Sequence, residues 1–261
     1  MKEKIAITID DKLLARLDRA VDGETIRNRS HAIEYYLHQG MGVKSEKALI
    51  MGGHADFSCA TVFEGKAIVE HQVELLKKHG VKEILFCLHE NEKEIQKMFG
   101  DGSKLGLRIH YQWQSREVAE TGYIVSLAKK FFGDESFFVL YCHVVADIDL
   151  MDFAVYHAES NVVATVALTS IEDPSLYGSV KMRGEKIVEF TEKPKQKEEV
   201  SRVISAGIFY FSSEIFGYIP KGSSASLEKD VFPKLAKEGK MAGYLFEGKW
   251  CNVRNQIYAR K

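Results

Sequence analysis

The sequence is short of the features that mark secreted, metal-stapled or membrane-embedded chains. Its four cysteines, Cys59, Cys87, Cys142 and Cys251, are scattered, with no CxxC pair among them. That spacing argues against a zinc ribbon and against a disulfide framework, and it fits a reducing cytoplasm. No apolar run approaches the roughly 18 residues a membrane-spanning helix needs. The N-terminus is charged and polar and does not read as a secretory signal. An excess of one charge is also missing: 36 Lys and Arg stand against 37 Asp and Glu, a formal net charge of -1. This argues against an unstructured basic tail but leaves a local charged face open. No internal repeat is evident.

What is present is enough apolar material for a sizeable core. Of 261 residues, 45% are hydrophobic, and the length suits one large domain or two smaller ones. The pattern changes after residue 44, which divides the chain into 1–44 and 46–261, with a short linker around 43–47.

In the first segment, residues 4–9 alternate. Ile5, Ile7 and Ile9 form one face of a short strand, and Lys4, Ala6 and Thr8 form the other. Asp10 or Asp11 is placed to cap a helix carrying Leu13, Leu14, Leu17 and Val21, which Asp22-Gly23 ends. After a polar turn, Ser30 is placed to cap a second helix with Ala32, Ile33, Tyr36 and Leu37 at helical spacing, stopped by Gly40 and Gly42. One strand and two helices bury too little alone. Two copies, pairing their strands across a twofold axis, would close a core.

This order of strand, helix, Arg27–Ser30 turn and helix resembles the ribbon-helix-helix DNA-binding domain over its whole length. The resemblance implies a homodimer on double-stranded DNA. Lys4, Ala6 and Thr8 would face the bases. The amides beginning the second helix, near Arg29 and Ser30, would clamp a phosphate, with Arg27 and Arg29 adding charge. Ala6 departs from the polar residue often found there, which leaves more of the specificity to DNA shape. A plain dimerisation module is the competing reading.

From Lys47 onward, strands alternate with helices. Strands are expected at 48–51, 83–88, 107–111 and 137–141, and helices at 67–79, 93–99 and 122–132. Apolar runs such as Phe137-Phe138-Val139-Leu140 fit strands buried on both faces of a largely parallel α/β sheet. The charged loop 195–201 and the Gly/Ser-rich loop Lys221–Ser226 read as solvated surface.

Ordered motifs then carry a second resemblance over most of residues 46–261. Ala48–Gly53 is a strand running into glycines, and Gly65-Lys66 precedes a helix. GDGSKLG at Gly100–Gly106 precedes Ile109-His110-Tyr111. Tyr177-Gly178, Glu192-Lys193-Pro194, Ala206-Gly207-Ile208 and Glu247-Gly248-Lys249-Trp250 follow. Together they resemble the sugar-1-phosphate nucleotidyltransferases, which join a nucleoside triphosphate to a sugar phosphate and release pyrophosphate. The fold class implied is α/β, with the N-terminal ribbon-helix-helix dimer joined to a Rossmann-like mixed sheet flanked by helices.

The residues that carry the family's chemistry do not match. Its glycine loop reads roughly GGxGTRLRP and ends in Pro-Lys. Here Gly52–Phe63 has neither arginine nor lysine and adds Asp56. The family's two metal carboxylates fall at His143 and Asn252, poor ligands for magnesium, which wants charged oxygen donors. Tyr123 would fill space near the base. No catalytic residue, no resident metal and no cofactor are expected on this basis. On the sugar side Gly178, Glu192, Lys193 and Gly207 are retained and would bind a sugar phosphate or nucleotide sugar, with inherited scaffold weighed equally. A soft zinc site from Cys142, His143, Cys251 and His54 is weighed and set aside.

The reading favoured by the sequence is a DNA-binding transcriptional regulator whose inactive nucleotidyltransferase-like domain dimerises or senses a nucleotide-sugar or sugar-phosphate effector. A dimer of dimers is left open, and no membrane partner is expected. The alternative is an active sugar-1-phosphate nucleotidyltransferase with an accessory DNA-binding domain. A third reading is a structural dimer that does neither.

Overall fold

The computed structural model describes residues 5–23, 26–41, 45–52, 57–114, 120–195, 201–222 and 224–259, with backbone alone for 38–41 and 257–259. Two compact units divide the chain, Met1–Lys44 and Ser45–Lys261.

In the smaller unit, α1 (Asp11–Ala20) begins where the Asp10 carboxylate accepts from the amides of Lys12 at 2.9 Å and Leu13 at 3.0 Å. This satisfies two of the amides that a helix start leaves unpaired. The second helix, α2 (Arg29–Met41), is opened by Asn28 and not by Ser30. Asn28 Oδ1 accepts from the His31 amide at 2.9 Å, and Ser30 already lies inside the first turn. The helix also runs through Gly40. Leu17, Ile26 and Ala32 are buried, with Ile9, Val21 and Ile33 packed against them. Residues 5–10 form no strand. A strand needs a ladder partner, and none of the described residues of this chain supplies one, so Ile5 and Ile7 stand 72% and 51% exposed. Lys4 lies outside the described residues, while Ala6, Thr8, Arg27 and Ser30 are exposed. Arg29 is bonded to Asp18 by two contacts of 2.6 and 2.8 Å, an exposed pair that ties α2 to α1.

The larger unit opens with β1 (Lys47–Met51), a small hairpin of β2 (Val62–Phe63) and β3 (Lys66–Ala67), and α3 (Ile68–Lys78). Then come β4 (Glu83–His89), α4 (Lys93–Phe99), β5 (Arg108–Gln114), α5 (Thr121–Leu127), α6 (Lys129–Phe132), β6 (Phe137–Tyr141), β7 (Val144–Ala146) and α7 (Leu150–Ser160). The second half runs β8 (Ala164–Ser170), β9 (Gly178–Arg183), β10 (Lys186–Glu192), β11 (Val203–Phe211), α8 (Ile215–Tyr218), α9 (Phe232–Lys237), β12 (Met241–Leu245), β13 (Trp250–Asn252) and α10 (Val253–Ala259). The helix expected over 122–132 is thus two short ones, with Ala128 between them.

Nine strands form one sheet in the order β5-β4-β1-β6-β11-β8-β12-β10-β9. Strands β5, β4, β1 and β6 run parallel. Strand β11 then runs antiparallel to both β6 and β8, so the sheet is mixed. Strands β1 and β6 are buried on both faces, as their unbroken apolar runs require. No helix among the described residues is long and apolar enough to cross a membrane.

On one face of the sheet the core is an aromatic stack. Phe132 lies on Phe137 at 3.8 Å between ring centroids, and Phe137 meets Phe216 at 5.5 Å and Phe211 at 5.9 Å. Phe137 is fully buried, so its truncation leaves a cavity that rigid neighbours fill only in part. Phe137→Ala is expected to cost about 3–5 kcal/mol in urea unfolding at unchanged m-value. A loss under about 1 kcal/mol would show that this stack is not the packed core of the sheet.

Candidate functional site

After β1 the chain crosses to β4 and β5 on one side, then returns to lay β6 on the other. In wound α/β sheets, ligands bind beyond the carboxyl ends of the strands at such a reversal. A cavity of about 930 Å³ opens at this point, lined by Met51 and Gly52 from the end of β1, Gln114 from β5 and Tyr141 from β6. The turn after β6 is held from below. Gln72 of α3, buried, donates from Nε2 to the carbonyls of Tyr141 at 2.8 Å and Val144 at 2.7 Å.

The opposite wall comes from β9, β10 and β11. Gly178 and Glu192 are register partners, and the Lys193 amide donates to the Tyr177 carbonyl at 3.0 Å. Lys193 holds a left-handed φ of 45°, rare outside glycine and a form of strain found at functional sites. Gly207 has φ of 74° where β11 breaks register between Ser205 and Phe209. A Cβ there would stand 2.9 Å from a Val144 methyl in a backbone conformation that side chains resist. All four residues expected on the sugar side, Gly178, Glu192, Lys193 and Gly207, line the cavity.

The third wall was not anticipated. The loop Lys221–Ser226, expected at the surface, is drawn onto α5 at its far end. Leu227 N donates to Thr121 Oγ1 at 2.9 Å, and Tyr123 N donates to the Ala225 carbonyl at 2.9 Å. Gly122 permits the approach, since a Cβ would meet that carbonyl oxygen at 2.9 Å. Ser226 is consequently 2% exposed. The π-helical turn Leu227–Val231 then delivers Glu228 to the cavity. Glu228 accepts from Thr121 Oγ1 at 2.6 Å, from Ser226 Oγ at 3.1 Å and from the Tyr141 hydroxyl. Lys229 and Arg254 line the same space. Sequence reasoning missed Thr121, Tyr141, Glu228, Lys229 and Arg254. Their only local signal was the Ser226 cap, whose hydroxyl accepts from the Lys229 amide.

Burial pushes the Glu192 carboxyl up to about 7, with the nearby Glu228 adding to the shift and Lys193 opposing it. The Tyr141 hydroxyl is driven upward by burial and then by Glu228, so it stays a protonated donor.

The antiparallel pair β7–β13 sets Asn252 opposite Val144, and the Val253 amide donates to the His143 carbonyl at 2.9 Å. His143 and Asn252 therefore reach one cavity, where an imidazole and an amide are poor partners for magnesium, which takes charged oxygen donors. Cys142 is fully buried beside Cys59. Among the described residues no three His, Cys, Asp or Glu side chains converge as metal ligands. His54 and Asp56 lie outside the described residues. The residues present do not fit magnesium at the family's carboxylate positions.

Comparison with known proteins now identifies the chain. The family model for nucleotidyl transferase matches residues 60–255. The chain belongs to that family. It is 31% identical over 196 residues, 73% of its length, to the mannose-1-phosphate guanylyltransferase catalytic subunit beta of Dictyostelium discoideum. It is 33% identical over 189 residues, 67% of its length, to the UTP–glucose-1-phosphate uridylyltransferase of Synechocystis sp.. The chain spans about half the length of these relatives, 53% and 48%. In fold it resembles a Bacillus anthracis structure described as a glucose-1-phosphate thymidylyltransferase with sucrose. The TM-score is 0.73 at 20% identity, covering 82% of this chain and 92% of that one.

These findings correct the regulator reading. The matched relatives are named for sugar-1-phosphate nucleotidyl transfer, and they favour the alternative reading over a DNA-binding transcriptional regulator.

Glu192 supplies a test of the site's electrostatics. Its folded-state value lies above the ordinary 4.5, so its contribution to stability is full below 4.5 and lost as pH rises to about 7. Glu192→Gln is expected to stabilise the fold at pH 8 relative to the parent, the gain shrinking toward pH 4.5 in urea titrations. A gain that is equal at both ends would show that Glu192 is not held protonated by the cavity.

Proposed function

We propose that the larger unit is a sugar-1-phosphate nucleotidyltransferase site that takes a sugar 1-phosphate and the nucleotide to which it is joined. The observation that carries this reading is the cavity at the β1/β6 reversal, with Glu192 and Lys193 side by side at its rim. In the reaction, an oxygen of the sugar phosphate attacks the α-phosphorus of a nucleoside triphosphate. The bond to the β-phosphate breaks, and pyrophosphate leaves with its electron pair. Catalysis of such a step is chiefly positioning and charge stabilisation. In this chain Lys193, Lys229 and Arg254 line the cavity and are the side chains assigned to phosphate oxygens, and Glu192 is an acceptor for sugar hydroxyls. No step is assigned to a carboxylate-held metal.

The test is pyrophosphate release from glucose 1-phosphate or mannose 1-phosphate with each nucleoside triphosphate in magnesium buffer. Release with at least one pair is expected, and Arg254→Ala should lower kcat/KM by roughly 100-fold. No release with any pair would exclude the transfer. No calorimetric binding of any nucleotide sugar would exclude the site as well.

A second reading concerns residues 1–44, where Ile5 and Ile7 are exposed on an extended segment. We propose that two copies pair these segments in a ribbon-helix-helix arrangement, burying the isoleucines that one chain leaves in water. Sedimentation should give a dimer for the full chain and a monomer for Ile7→Lys. A monomeric parent at about 50 μM would overturn this, since a stable interface of standard size binds well below that concentration.

A further inference from the structure

Strand β1 delivers Gly52 to the cavity wall. In wound α/β sheets the turn after the first strand is where backbone meets a phosphate, and a residue without a Cβ lets that phosphate come close. Behind this wall stands the short 3-10 turn Glu90–Glu92 that follows β4. Its last residue, Glu92, is 4% exposed. Glu92 Oε1 accepts from the Cys59 amide at 2.7 Å. Its Oε2 lies against Gly52, where a Cβ would stand 3.0 Å from that oxygen. One carboxyl group therefore joins two points of the chain seven residues apart, Gly52 and Cys59. Gly52 is also pinned toward β4. Its amide donates to the Cys87 carbonyl at 2.6 Å, and a Cβ would meet that oxygen at 2.7 Å.

The Cys59 end is fastened by other contacts as well. Ser58 Oγ donates to Glu94 Oε1 at 3.2 Å, and the Val69 amide donates to the Cys59 carbonyl at 3.3 Å. Cys59 is thus held between α3 and the segment Glu90–Glu94. Phe57 is buried and meets the ring of His143 edge-on at 6.3 Å between centroids, and His143 lines the cavity. Gly52 and Phe57 therefore both border the cavity wall, and Glu92 fixes their spacing from behind. Burial pushes the Glu92 carboxyl upward, opposed by the bond from the Cys59 amide. That shift reduces the negative charge set behind a phosphate at Gly52.

Resting on the nucleotidyltransferase reading above, we propose that Glu92 is a positioning residue for the nucleotide: by joining Gly52 to Cys59 it fixes the backbone at the end of β1 against which the triphosphate lies. Glu92 acts through that backbone and touches no substrate. The sugar-phosphate wall, with Gly178, Glu192, Lys193 and Gly207, is built from β9, β10 and β11 on the opposite side of the cavity. Loss of the Glu92 tie is therefore felt by the nucleotide and not by the sugar phosphate. What the tie needs is an acceptor of the right length for the Cys59 amide, which a glutamine supplies and an alanine does not.

Calorimetry on the full chain in magnesium buffer tests this, with GTP, UTP and dTTP in one arm and glucose 1-phosphate and mannose 1-phosphate in the other. Glu92→Ala is expected to weaken the nucleotide that the parent binds by about tenfold and to leave the sugar phosphate within about twofold. Glu92→Gln should restore the parent's nucleotide affinity, with melting curves checking that both variants fold. In the parent itself, hydrogen exchange at the Cys59 amide should slow further with nucleotide and stay unchanged with sugar phosphate, a readout that needs no variant. Nucleotide affinity unmoved by Glu92→Ala, equal weakening of both ligands, failure of Glu92→Gln to rescue, or exchange at Cys59 indifferent to nucleotide each overturns this inference alone and leaves the site reading standing. A parent that binds neither nucleotide nor sugar phosphate overturns this inference and the site reading together.

Discussion

Strand β1 lies between β4 and β6 in two parallel ladders, and the cavity exists because of that position. The ladders run through Leu49↔Leu85 on one side and Leu49↔Val139 on the other. Both connections leave the carboxyl end of the sheet, so the backbone parts there and opens a crevice. Everything that lines the crevice is placed relative to this split. Gln72 fixes the turn after β6, β11 closes against β6, and β13 lies on β7. The register of hydrophobic strands in the core thereby sets where polar groups meet at the rim.

The polar groups form two different chemistries on one scaffold. One wall presents Glu192 and Lys193 from the end of β10, a pairing suited to a sugar and its phosphate. The other presents Glu228, oriented by hydroxyls from β6, α5 and the turn at Ser226. Its placement depends on Gly122 allowing the loop backbone onto α5. The position of a single missing Cβ therefore decides whether a carboxylate reaches the cavity, a coupling of local sterics to electrostatics across more than a hundred residues of sequence. Where the family would place metal carboxylates, this chain has His143 and Asn252, so the charge that organises its cavity is carried by glutamates, lysines and an arginine.

Much of this was legible in the sequence, and the reasons are local. The helix Lys93–Phe99 and the strand Phe137–Tyr141 fall where periodicity and apolar runs predict them. The sugar-side residues Gly178, Glu192, Lys193 and Gly207 were found through motifs, and they line one cavity. Helix starts were less legible, because Asn28 and Ser30 are equally good caps and only the backbone decides between them. Glu228 was hidden for a stronger reason: its neighbours Thr121 and Tyr141 are remote in sequence, and a Gly/Ser-rich loop gives no sign of being drawn inward. The segment at residues 5–10 shows the converse limit. Alternation specifies a strand's faces but not its partner, and the described residues of one chain supply no partner. Function was less legible, because departures at the glycine loop and at His143 and Asn252 point away from the family whose ordered motifs run along the rest of the unit.

The central claim is that the cavity beyond β1 and β6 holds a sugar phosphate. A co-crystal structure with a nucleotide sugar at saturating concentration tests it most directly. The account predicts sugar density against Glu192, phosphate density within reach of Lys193 or Arg254, and the Glu228 network intact. An empty cavity, or ligand density elsewhere on the unit, would contradict it.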